Sequence, residues 1–232
     1  MEKIGFIGTF DKTDFLIYVS RILVEMGKKV LRIDSTVNQK AKYVVPVISP
    51  TMSYVTEYEG IDVAVGFSDY NGIKRYLGMP ETAALTYDYI MIDMDKAESI
   101  DNFEIYEANR NYFVTSADLF SLKKGLEVLS GIKLPIQLTK IYFSNIMSDE
   151  EDEYLNYLSL GYKIKWQDEK IYFPLQTSDQ EVIMENQRTE KIKYKGLSSE
   201  YKDALVYLAS EIVHDERSNA VKRAFKQLER GM

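Results

Sequence analysis

Short apolar runs alternate with amphipathic stretches along most of this chain, and the alternation begins at its first residues. KIGFIG at 3–8 is too short for a helix and ends in glycine, which suits a buried strand. In DFLIYVSRILVEM at 14–26, Phe15, Leu16, Val19, Ile22, Leu23 and Met26 recur at helical spacing, and Gly27 stands where a helix would stop. KKVLRID at 28–34 reads as a second buried strand, ending at Asp34. A strand, a helix and a strand along so short a path predict a right-handed parallel unit: parallel neighbours need a crossover, and a right-twisted strand packs back onto its sheet with that hand.

The pattern then repeats less regularly. Strands are expected at 61–67 (IDVAVGF), 87–93 (YDYIMID), 111–116 (NYFVTS), 140–147 (KIYFSNIM) and 171–175 (IYFPL). Helices are expected around 69–77, over 117–131 and 148–162, and through most of 197–231. YVVPVI at 43–48 contains Pro46, which cannot donate to a ladder, so the segment is an edge strand or a loop. Strands nearly uniform in Val, Ile, Phe and Tyr are those covered on both faces. The expectation is an α/β fold, a doubly wound and mostly parallel sheet with helices on both faces, over 1–213, with a C-terminal helical extension over 214–232.

Composition narrows the chemistry. The absence of cysteine removes disulfides, thiolate metal sites and a cysteine nucleophile. A lone histidine, His214, removes most zinc chemistry and any serine triad placed earlier in the chain, and it reads as a surface residue near a helix end. The net charge of −7 argues against direct nucleic-acid binding over a broad surface, which needs an excess of Lys and Arg. The N-terminus lacks the long apolar region of a signal peptide, and no run of 18 apolar residues appears, so a cytoplasmic protein is expected.

In a doubly wound sheet, ligands bind beyond the carboxyl ends of the strands. After the first strand comes Gly8-Thr9-Phe10-Asp11-Lys12-Thr13-Asp14. A Lys-Thr pair opening the first helix suits a phosphate loop, in which the ammonium meets phosphate, the hydroxyl meets Mg²⁺ and helix amides face the anion. With the segments that follow, in the same order, the chain resembles the MinD/ParA family of deviant Walker ATPases. GKKVLRID at 27–34 is similar to the family's second-strand motif, YDYIMID at 87–93 to its Walker B strand, and VTSADLFSLKKGLEVL at 114–129 to the strand and helix after it. The strand carrying Asn145 resembles the one whose asparagine reads adenine, and 173–187 and 198–212 resemble the closing segments.

The resemblance implies a P-loop fold that binds ATP and Mg²⁺ between two subunits of a homodimer. It implies Asp34 as the catalytic aspartate, also near the metal, and Thr13 and Asp93 on the metal side. Gly8, Thr9, Asp11, Lys12, Thr13, Asp14 and Asn145 are the implied nucleotide contacts. The chain departs from the family at the loop, where Asp11 precedes Lys12 in the place of a glycine and Ile7 stands at the spacing of the signature lysine. Gly8 is the only glycine between the strand and Lys12. A carboxylate there opposes phosphate by ~1 kcal/mol at about 4 Å even in a water-like dielectric. Hydrolysis is therefore expected to be weakened or absent, at most that of a weak ATPase.

Two functions follow from the resemblance and its departures. One is an ATP-responsive dimer that positions or recruits a partner assembly, such as pilus, secretion, division or DNA-segregation machinery. The other is a nucleotide-free scaffold or adaptor of the same fold. At the C-terminus, Val221, Ala224, Phe225 and Leu228 share a helical face and Lys222, Arg223, Lys226 and Arg230 lie mostly elsewhere. Such a helix can make weak peripheral membrane contact through 214–232, or pack on its own domain or a dimer partner.

Overall fold

The computed structural model describes residues 1–48, 51–144, 148–214 and 219–231. Its centre is an eight-stranded sheet in the order β3-β4-β2-β5-β1-β6-β7-β8. The strands are β1 (Glu2–Ile7), β2 (Val30–Ser35), β3 (Tyr54–Tyr58), β4 (Ile61–Val65), β5 (Tyr89–Met94), β6 (Arg110–Ser116), β7 (Ile136–Phe143) and β8 (Ile164–Tyr172). All neighbours are parallel except β3 and β4. The helices are α1 (Thr13–Glu25), α2 (Ala41–Val44), α3 (Tyr70–Tyr76), α4 (Ala97–Asn102), α5 (Leu119–Ser130), α6 (Asp149–Leu158), α7 (Thr177–Thr189), α8 (Ser199–Ile212) and α9 (Ala220–Arg230).

The helices form two layers because the sheet is apolar on both sides. One core joins Phe6, Val30 and Met91 of the sheet to Phe15 of α1, Leu205 of α8 and Phe225 of α9. The other joins Ile7, Leu31 and Ile92 to Ile73 of α3, Leu122 of α5 and Leu155 of α6. Neighbouring residues along one strand feed opposite cores, as the period of two requires. The doubly wound, mostly parallel sheet expected from the sequence is the fold observed.

Individual elements differ from the expectation where the sheet has edges. Of the two alternatives for 43–48, the loop is observed after Val44, where α2 ends, and it runs through Pro46. The strand at that edge is β3, which pairs antiparallel with β4 through Glu59 and Gly60, both at positive φ (50° and 84°), as a two-residue hairpin turn demands. At the other edge the strand is β8, which overlaps the expected 171–175 only at Ile171 and Tyr172 and begins earlier, because half-exposed IKWQDEKIY offers no continuous apolar run. β7 starts earlier than expected and ends at Phe143, and residues 145–147 lie outside the described ones. Helix α6 begins with a capping box between Ser148 and Glu151, with further acids in its first turn.

The C-terminal helix packs on its own chain. Val221, Ala224 and Phe225 are buried against the core that α1 and α8 share, which leaves Lys222, Arg223, Lys226 and Arg230 exposed. No helix among the described residues is long and apolar enough to cross a membrane.

Candidate functional site

Strand β1 lies between β5 and β6, and the chain leaves it through α1 toward β2, so the winding reverses about β1. The carboxyl ends of β1, β2 and β5 therefore share one edge, where ligands bind in such sheets. This brings Lys12 and Thr13, which follow β1, to Asp34 and Asp93, which are direct partners across β2 and β5.

The loop from β1 to α1 runs against β6. Gly8 sits at a φ of 140°, and a Cβ there would fall 2.1 Å from the Val114 carbonyl oxygen, so only glycine passes. The Thr9 hydroxyl donates to the Ser121 carbonyl at 3.2 Å. Lys12 is 2% exposed and turns back on its own loop: its ammonium donates to the carbonyls of Gly8 and Phe10 and lies 3.0 Å from Asp93 Oδ1.

Asp11 occupies the head of α1. Its Oδ1 accepts the Thr13 N–H at 3.0 Å, and its Oδ2 lies 2.5 Å from Lys40 Nζ. Lys40 reaches on to Asp14 at 2.6 Å, and Asp14 accepts from Gln187 of α7 at 2.7 Å. Burial pushes the Asp11 carboxyl up, but the Lys40 ammonium and the Thr13 amide outweigh it and hold it below the ordinary carboxylate range. Burial likewise depresses Lys40, and Asp14 and Asp11 overcome that and raise it. Both groups are charged at neutral pH.

Asp34 is fully buried and both of its oxygens are engaged. Oδ1 accepts from the Thr36 N–H at 3.1 Å and the Thr36 hydroxyl at 2.6 Å, while Oδ2 accepts the Ala41 N–H at 3.0 Å. These bonds shape the turn into α2. Asp93 is 1% exposed and lies between Lys12 and Arg32, whose Nη2 is 3.4 Å from Oδ2. Desolvation pushes its carboxyl up to about 6, with Lys12 and Arg32 pulling down and Asp34 pushing up. Asp95 accepts the Val37 N–H with both oxygens, at 2.9 and 3.1 Å. A cavity of about 130 Å³ remains at this edge, lined by Lys12, Thr13, Asn38, Lys40, Asp93 and Asp95 among others.

The structure thus gathers Gly8, Thr9, Asp11, Lys12, Thr13, Asp14, Asp34 and Asp93 at one edge, and Asn145 lies outside the described residues. Sequence reasoning missed Arg32, Lys40 and Asp95. A charge inside the apolar run VLRID was a legible signal for Arg32, whereas Lys40 and Asp95 carried none.

No protein-family model matches the chain, and no curated protein matches its sequence. Its likeness lies among solved structures. A ParA family ATPase from Chlorobium tepidum superposes with a TM-score of 0.56 at 14% identity, covering 90% of this chain and 99% of that one. The MinC:MinD cell division protein complex from Aquifex aeolicus gives 0.55 at 12% identity, covering 94% of this chain and 98% of that one. McdA from Cyanothece, solved as an ATP complex, gives 0.52 at 12% identity with the same coverage.

This chain has the ParA/MinD fold.

Within that fold, the side chains at the edge compete with a nucleotide rather than match one. ATP and Mg²⁺ need free amides at the head of α1, a lysine aimed outward, and a carboxylate whose charge is available to a metal shell. Here the Thr13 amide holds Asp11, Lys12 points inward, and Asp93 is countered by two cations. The cavity is below the range of about 300–1,000 Å³ usual for small-ligand sites. The residues present do not fit ATP·Mg²⁺ in this arrangement.

Proposed function

We propose that the protein is a nucleotide-independent adaptor of the ParA/MinD fold that positions or recruits a protein assembly, with residues 1–213 as its folded unit and 214–232 as a helical extension of it. The observation that carries this reading is the Asp11 carboxylate on the Thr13 amide, clamped by Lys40. It places a negative charge of the protein's own where the first phosphate would arrive, and an incoming anion must displace it. The partner expected is a protein, since an overall charge of −7 opposes polyanions. A homodimer is the expected assembly, formed with or without nucleotide.

The ATP-responsive dimer is the competing reading, and the Lys12 and Thr13 lining of the residual cavity is what favours it. Sedimentation velocity of the full chain separates the two. The adaptor reading expects one distribution of species, unchanged by millimolar ATP and MgCl₂. A shift from monomer to dimer on adding nucleotide would replace it with the ATP-responsive reading.

A further inference from the structure

Strand β2 carries an arginine in a run buried on every residue. Arg32 is 0% exposed and shares a sheet face with Asp34, two positions along. A guanidinium stays charged throughout the physiological pH range, so its burial requires a counter-charge. Asp34 and Asp93 stand side by side as register partners, a pairing of like charges that also needs balancing. Lys12 and Arg32 both approach Asp93, at 3.0 and 3.4 Å. Lys12, Arg32, Asp34 and Asp93 are all no more than 2% exposed, and the two cations cancel the two carboxylates.

Arg32 Nε and Nη1 find no hydrogen-bond partner among the described residues. The guanidinium is thus held for its charge toward Asp93 more than for a full set of hydrogen bonds. That is what an internal counter-ion does at a buried site. Asp93, near the end of β5, is the residue that the resemblance implies for the metal side.

We propose that Arg32 is a resident cation that balances Asp93 in place of a divalent metal ion. The proposal deepens the nucleotide-independent reading and rests on it only in leaving this site without a metal. Removing Arg32 strands a buried carboxylate pair against Lys12 alone. Removing Arg32 and the Asp93 charge together leaves Lys12 and Asp34, again balanced.

Scanning calorimetry of the full chain tests this with Arg32→Met, Asp93→Asn and the double variant, each with and without millimolar MgCl₂. Arg32→Met is expected to lower the Tm by roughly 10 °C, as breaking a buried pair does in a chain of this size. The double variant is expected to recover at least half of that loss, and MgCl₂ to leave the wild-type Tm unchanged. If Arg32→Met is too unstable to measure, the double variant should still fold. Additive losses, a double variant that does not fold, or a wild-type Tm raised by MgCl₂ through Asp93 would each overturn the proposal. A wild type that binds nucleotide but shows the recovery would remove the adaptor reading and keep the role of Arg32. Additive losses with no nucleotide binding would do the reverse.

Discussion

Lys12 separates a phosphate-binding loop from a structural one. A lysine kept for phosphate can be truncated with little effect on the unliganded fold. Here its ammonium is 1% exposed and meets Asp93 and two carbonyls, so truncation strands a buried carboxylate. Lys12→Ala is expected to cost about 3–5 kcal/mol in urea unfolding without any ligand present. A loss under about 1 kcal/mol would mean that the ion pair carries no weight. Lys12, Asp34 and Asp93 were legible in the sequence because Lys12 follows a strong apolar strand and Asp34 and Asp93 stand near the ends of two others, at a predictable edge. Lys40 was not, because its partners Asp11 and Asp14 lie far back in the chain and only the fold brings them together. Asp34 was legible as a strand-ending aspartate, but its three bonds into the turn before α2 depend on how the chain folds back on itself.

At the scale of elements, the central strands were legible and the edges were not. β1, β2 and β5 are buried on both faces and read as apolar runs. β3 and β8 face solvent in part, so their polar residues hide them, and pairing rather than composition makes them strands. Helix α6 is fixed to this weaker half by a buried cluster. Asp152 meets Lys140 and Lys170, each at 2.7 Å, and accepts from the Tyr142 hydroxyl at 2.7 Å, while Lys140 lies 5.0 Å from the centre of the Trp166 ring. Burial pushes the Asp152 carboxyl up, but hydrogen bonds from Lys140, Lys170 and Tyr142 more than offset it and bring it down to about 2. A carboxyl depressed in the folded state contributes stability above its unfolded value near 3.8, and that contribution is lost as pH falls from there through about 2. Trp166 is the only tryptophan, so its fluorescence reports the cluster directly. Its emission is expected to shift as pH drops through that window in the wild type and to show no such step in Asp152→Asn. The same step in both proteins would detach it from Asp152.

Across the whole molecule, the chain has the ParA/MinD fold, and the side chains at its β1–β2–β5 edge bond mainly to one another around a cavity of about 130 Å³. Asp11 takes the head of α1, Lys12 and Arg32 take Asp93, and the turn before α2 takes Asp34. The terminal helix spends its apolar face on α1 and α8, which leaves a basic outer arc and no free apolar stripe for a bilayer on α9. The most direct measurement is isothermal calorimetry of the full chain with ATP and MgCl₂, at concentrations well above micromolar. No heat beyond dilution is expected. A saturable isotherm with one nucleotide per chain would contradict it.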